Sequence, residues 1–139
     1  MNRFLLDTSA LICLRDDEPG ADRVAQLLTQ SDNDEVRCFG CFISRMEVLY
    51  RVWKDEGENE GRLAYEQIQA LPIAWVHESK PLLEKAAAIK ACYPLSLADA
   101  WIAASAILKQ ATLIHKDPEF RALDVVDQEL LPLKSTTGR

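Results

Sequence analysis

With 139 residues and a formal net charge of −6, the chain is expected to form one domain that buries about 70% of its unfolded surface, and its acidity argues against gripping nucleic acid by charge alone. Hydrophobic residues make up 48% and charged residues 27%, a balance that excludes the disordered, fibrous and collagen-like classes. The longest charge-free apolar stretch, residues 100–108, is well short of the ~18 residues that a membrane span needs.

Apolar segments alternate with longer amphipathic ones, which predicts an α/β domain around a parallel sheet. A strand over residues 3–6 carries Phe4, Leu5 and Leu6 and is cut off by Asp7, too early for a signal peptide. The expected location is therefore the cytosol, with Cys13, Cys38, Cys41 and Cys92 as thiols. A short helix over 9–15 follows. Pro19 and Gly20 break the chain before a helix over 21–30, which sets Val24, Leu27 and Leu28 on one face. Residues 36–43, uncharged apart from Arg37, read as a buried strand. Ser44 opens a helix with Met46, Leu49, Tyr50 and Trp53 at helical spacing. A turn near Gly57 leads to a helix over 58–71 and a strand over 73–76. Helices over 80–92 and from Ser96 to 109 flank Pro94, and a strand over 112–115 comes next. Asp117-Pro118 starts a short helix, and 123–126 reads as the last strand. Residues 1–133 form the expected single domain; 134–139 is a tail expected to fray.

Acids fall at the junctions of these elements. Asp7 ends the first strand, Glu47 lies early in the helix after the second, and Asp117 follows the 112–115 strand. Asp99 sits in the first turn of the helix that feeds that strand. In an open parallel sheet, ligands bind beyond the carboxyl ends of the strands, where these four acids would converge. Carboxylates at short range repel unless protons or cations intervene, and all-oxygen clusters of this type suit Mg²⁺ or Mn²⁺. Each acid also has a purely structural reading. Ser44 to Glu47 and Ser96 to Asp99 fit capping boxes, Asp117 before Pro118 fits an N-cap with proline at the first helical position, and Asp7 can cap the first helix. Caps do not explain why Asp7 and Asp99 sit in apolar company, where an unpartnered acid is costly.

Four segments carry a resemblance. Phe4-Leu5-Leu6-Asp7-Thr8-Ser9-Ala10-Leu11-Ile12 is similar to the opening of a PIN domain. Ser44-Arg45-Met46-Glu47-Val48 resembles its second acidic motif, the segment Ser96 to Ala106 its third, and His115 to Phe120 its fourth. The small size resembles the VapC-type toxins of toxin–antitoxin pairs. The resemblance implies a three-layer α/β/α fold around a central parallel sheet and Mg²⁺- or Mn²⁺-dependent cleavage of single-stranded or structured RNA by a metal-activated water. It also implies a homodimer and inhibition by a cognate antitoxin. Asp7, Glu47, Asp99 and Asp117 would be the catalytic and metal-binding acids, with Thr8 and Ser9 beside the first, Ser9 the favoured supporting hydroxyl. The family often carries Thr or another small polar residue two positions before the fourth acid, where this chain has His115. That histidine either donates to a carboxylate or phosphate or is a strand residue with an ordinary backbone partner. Glu119 is either a fifth ligand or a solvated first-turn acid.

Other signals point elsewhere. Cys38 and Cys41 form a CxxC without the second pair that a structural zinc site needs, so both read as small buried hydrophobes. Metal-free cleavage through the RNA 2′-hydroxyl would use a histidine pair, and His77 and His115 are the two histidines, but no local motif joins them. Trp53 and Trp101 read as core or dimer interface rather than base-stacking platforms. Arg45, Arg51, Lys54 and Arg62 read as a solvated helix face before a phosphate guide. The competing functions are a phosphohydrolase or DNA nuclease with the same cluster, and an inactive PIN-like binding module.

Overall fold

The computed structural model describes residues 1–133; the tail at 134–139 lies outside the described residues. The alternation of apolar and amphipathic segments resolves into strands β1 (Asn2–Leu6), β2 (Val36–Cys41), β3 (Ala74–Val76), β4 (Thr112–His115) and β5 (Gln128–Leu130). Between them run helices α1 (Thr8–Arg15), α2 (Ala21–Asp32), α3 (Phe42–Glu56), α4 (Glu58–Gln69), α5 (Lys80–Cys92) and α6 (Leu97–Leu108). A 3₁₀ turn, Pro118–Ala122, separates β4 from β5. The sheet has the order β3-β2-β1-β4-β5 with every pair parallel. Parallel pairing demands crossover connections, and helices supply most of them.

Side chains alternate across a strand, and the core divides accordingly. Leu5, Phe39, Cys41 and Leu113 join the core under α5 and α6. Leu6, Cys38 and Ile114 join the core under α1, α2, α3 and α4. The result is the three-layer α/β/α arrangement expected from the sequence. Cys38 and Cys41, three apart, thus face opposite sides of the sheet, where they cannot share a metal ion. Cys38 Sγ donates to Leu27 O instead.

Two boundaries differ from expectation. β2 ends at Cys41 and α3 begins at Phe42, not Ser44. Phe42 and Ile43 are already helical yet pack on the core under α6, with Phe42 edge-on to Trp101 at 5.2 Å. The apolar run therefore crosses the strand–helix junction without marking it. The last strand is Gln128–Leu130 rather than 123–126. Leu123 is buried with Phe120 beneath the 3₁₀ turn, while Asp124 and Val125 are exposed. The ladder is set by Leu113 N donating to Asp127 O and Leu131 N donating to His115 O.

Helices α3 and α4 form a hairpin held at close range by Gly61. A Cβ there would lie 2.9 Å from both Leu49 O and Trp53 N, which are backbone atoms of α3. Along the outer face of α3, Met46, Tyr50 and Trp53 are exposed. Trp101 instead packs on the core. No described helix is long and apolar enough to cross a membrane.

Candidate active site

The strand order turns back on itself at β1, with β2 on one side and β4 on the other. Such a switch point leaves a crevice beyond the carboxyl ends of the two strands, and this is where Asp7 emerges. Asp7 N donates to Ile114 O at 3.0 Å, tying the end of β1 to β4. Its carboxylate caps α1, accepting from Ser9 N at 3.3 Å and from Ser9 Oγ at 2.5 Å. Ser9 Oγ in turn accepts from Lys116 N at 2.9 Å. One hydroxyl therefore fixes the first acid against the segment that carries the fourth. Asp7 is only 3% exposed. Burial pushes its carboxyl from 3.8 up to about 6, against the lowering effect of the Ser9 and Thr8 hydrogen bonds and with the charge of Glu47 adding to the rise.

Glu47 is buried in the second turn of α3. Thr8 Oγ1 donates to its Oε1 at 2.7 Å and is also hydrogen-bonded to the buried Ser44 Oγ at 2.8 Å. Arg51, one helical turn on, donates to Oε2 at 3.3 Å. The capping box read at Ser44–Glu47 does not form, because α3 starts two residues earlier and both side chains turn to Thr8. Arg51 is accordingly a partner of Glu47 rather than a free surface cation.

At the head of α6, Ser96 Oγ accepts from Asp99 N at 3.1 Å, so the cap expected there is present. Asp99's own carboxyl is free of that duty and sits 8% exposed in the crevice. It is pushed up to about 8, first by burial, then by the charges of Asp7 and Asp117, then by hydrogen bonds with Glu119 and Asp117. Asp117 caps the 3₁₀ turn by accepting from Glu119 N at 2.9 Å, with Pro118 following as read from the sequence. Asp99, Asp117 and Glu119 each offer a carboxylate oxygen, all within 4.8 Å of one another. Glu119 is thus both exposed and part of the cluster. The acids form a chain of charge: Glu47 acts on Asp7, Asp7 on Asp99, and Asp99 meets Asp117 and Glu119. Glu47, already compensated by Thr8 and Arg51, stands outside the close group of three.

His115 is 1% exposed and turns inward. Its Nδ1 accepts from Asp117 N at 3.1 Å and its Nε2 meets Gln128 Oε1 at 2.9 Å. Burial pushes the imidazole below its ordinary value. His77 is exposed just past β3, three strand positions from β4, or about 14 Å across the sheet. The two histidines do not form a pair for metal-free cleavage. Gln128 was not singled out in the sequence, where a lone glutamine past the last motif carries no signal.

The donor set suits a divalent cation. Every close donor is a carboxylate oxygen, a hard ligand of the kind that holds Mg²⁺ or Mn²⁺. The held-up carboxyls of Asp7 and Asp99 mark the electrostatic strain that such an ion relieves.

A family model described as "PIN domain" matches residues 4–126. The chain belongs to the PIN domain family. Membership implies a nuclease, a hydrolase of phosphodiester bonds. Among solved structures, this PIN domain is similar to VapBC2 from Rickettsia felis bound to a DNA fragment from its promoter, with TM-score 0.74, 15% identity, and coverage of 94% of this chain and 99% of that one. It is similar to a toxin–antitoxin complex from Klebsiella pneumoniae, with TM-score 0.65, 26% identity, and coverage of 95% and 99%. It is also similar to DNA-bound VapBC from Salmonella typhimurium, with TM-score 0.74, 17% identity, and coverage of 93% and 98%. No curated protein matches the chain. The PIN match contains Asp7, Glu47, Asp99, Asp117 and Glu119 and stops short of β5, so Gln128 lies beyond it.

Proposed function

We propose that this PIN domain is a metal-dependent endoribonuclease that cleaves single-stranded RNA, the toxin of a toxin–antitoxin pair. The observation that carries the reading is the meeting of Asp99, Asp117 and Glu119 within 4.8 Å beside the buried Asp7, at the switch point of a PIN fold. Asp99, Asp117 and Glu119 would hold a Mg²⁺ or Mn²⁺ ion, with Asp7 next to them and Glu47 behind. A bound ion of this kind lowers the pKa of water and neutralises charge on the phosphate oxygens. The chain's residues prepare the site for that chemistry. Ser9 fixes the Asp7 carboxylate by donating to it, and Thr8 and Arg51 hold the Glu47 carboxylate in place by hydrogen bonds at the back of the crevice. Asp99, whose carboxyl is pushed up to about 8, would release its proton on taking up a cation. Attack by water in line with the leaving 3′ oxygen leaves a 5′-phosphate and a 3′-hydroxyl.

The toxin reading rests on the neighbours, which are toxin–antitoxin complexes. An acidic protein suits a basic partner, and an arginine reaching the carboxylates would satisfy them as a cation does. A groove of ≈ 180 Å³ between α1 and the α3–α4 hairpin, floored by Leu11, Leu14, Val48 and Ile68, offers an apolar anchor for such a segment. Acids Asp16, Glu56 and Glu60 line the adjoining hollow. A homodimer is part of the same proposal. Exposed Leu83 and Leu97, beside Trp101 on the α5–α6 face, are the apolar surface a second copy would cover.

The test is cleavage of a mixed single-stranded RNA pool by purified protein with Mg²⁺ or Mn²⁺, with EDTA, and with Asp7→Asn. Cleavage that needs both the ion and Asp7 and leaves 5′-phosphate ends is the expected result. Equal cleavage of DNA, or of phosphomonoesters alone, moves the assignment to a different phosphohydrolase. Folded, partner-free protein that cleaves nothing supports a binding module.

A further inference from the structure

We infer that His115 and Gln128 are positioning residues, forming an internal clasp that sets the Asp117–Glu119 arm of the acid cluster against Asp99. Gln128 lies in β5 opposite Leu113, and its Nε2 donates to Phe120 O at 2.8 Å and to Leu123 O at 2.6 Å. Both amide protons are thereby used, and the amide oxygen must face the other way, toward His115 Nε2. An oxygen there can only accept, so Nε2 carries the imidazole proton. Nδ1 is then a bare lone pair, and it accepts from Asp117 N. Only one arrangement of protons satisfies every group in this chain.

The clasp closes both ends of one segment. His115 holds its first backbone N–H, at Asp117, and Gln128 holds two carbonyls at its far end, at Phe120 and Leu123. The acids Asp117 and Glu119 lie between those ends. The His115 ring also packs edge-on to Phe120 at 4.9 Å, while His115 O accepts from Leu131 N, so the clasp is itself braced by β5. Regular secondary structure does not supply this restraint, because the segment is a single 3₁₀ turn of five residues. His115 is buried, and both side chains bond backbone atoms of the arm, so they act through the backbone that carries the acids. The sequence match to the family ends before Gln128, so the clasp is built partly from chain that the family pattern does not describe.

The inference rests on the proposed metal site for its consequence but not for its geometry, and two readouts separate the two. Exchange of the amide hydrogens over residues 117–123 reads the clasp directly, with no ion present. Mn²⁺ affinity, followed by electron paramagnetic resonance of the free ion, reads its effect on the acids. Gln128→Met leaves two carbonyls unsatisfied, and His115→Phe removes the acceptor for Asp117 N; both should speed exchange of the segment and weaken Mn²⁺ binding by roughly 10- to 100-fold, the range seen when groups supporting metal ligands are removed. His115→Asn places a side-chain oxygen where Nδ1 was, in the geometry of an Asx turn, and should recover Mn²⁺ affinity to within about threefold of wild type despite losing Gln128. A purely structural role predicts that all three variants melt earlier and bind Mn²⁺ as well as wild type does, and that result overturns the inference. So does unchanged exchange over 117–123 in Gln128→Met and His115→Phe. Wild-type protein that binds no Mn²⁺ refutes the metal site instead, and the exchange data then decide the clasp alone.

Discussion

Replacing Asp7 with asparagine should make the metal-free protein more stable, by an amount that depends on pH. The carboxyl is buried and is raised from 3.8 to about 6. Below pH 3.8 it is protonated in both folded and unfolded chains and costs nothing. As pH rises through 3.8 toward 6, the unfolded chain ionises first and the folded state loses stability; above 6 the loss is constant. Holding the folded carboxyl at about 6 rather than 3.8 corresponds to about 3 kcal/mol at pH 8. Asparagine mimics the protonated acid, since its oxygen can still accept from Ser9 N and Oγ, and it carries no charge to bury. At roughly 3 °C per kcal/mol for a domain of this size, Asp7→Asn in EDTA should melt about 9 °C above wild type at pH 8 and within about 2 °C of it at pH 4. Thermal unfolding followed by circular dichroism at the two pH values checks this. An equal difference at both pH values, or a variant that melts lower at pH 8, refutes the claim that Asp7 is a buried, unwillingly charged carboxyl.

Cation binding should release protons. With Asp99 held at about 8, titration of Mn²⁺ at pH 7 in buffers of different ionisation enthalpy should report about one proton lost per ion bound, falling toward none at pH 9; no release at pH 7 speaks against the electrostatics of the cluster. In the α3–α4 hairpin, Gly61→Val sets a side chain against backbone atoms that cannot rotate away, and the overpacking should cost about 1–3 kcal/mol, read from urea unfolding midpoints. A midpoint equal to wild type would mean that the two helices are free to separate.

Much of this fold was legible because its signals are periodic or local. The apolar runs at Phe4–Leu6 and in β4 and the caps at Asp7, Ser96 and Asp117 each depend on a few neighbouring residues, and the structure forms them. The failures share a cause. The Ser44–Glu47 box has the right spacing, but Thr8, distant in sequence, claims both side chains. The 123–126 run is apolar because Leu123 and Val126 pack on the core under α5 and α6, not because it pairs in the sheet. Glu119 is an exposed first-turn acid by every local rule and still reaches Asp99 and Asp117, because the path of the backbone brings α6 and the 3₁₀ turn together. Gln128 shows the limit most plainly. Its importance comes from three partners at separations of 5, 8 and 13 residues, none of which leaves a mark in composition or periodicity.

The way the sheet is threaded also governs when an enzyme of the proposed kind becomes dangerous to its own cell. The central strand β1 is made first, yet its neighbour β4 and the acid Asp117 are made more than a hundred residues later. Synthesis proceeds at about 5–20 residues per second, with N-terminal segments emerging first. Through most of that time Asp7 and Glu47 are present without the arm that completes the crevice. A chain truncated before residue 112 has β1 open along one edge and lacks Asp117, and with it the arm of the proposed site. The full set of acids is therefore assembled only once β4 and the 3₁₀ turn have been added, so the proposed site is completed late in the making of the domain.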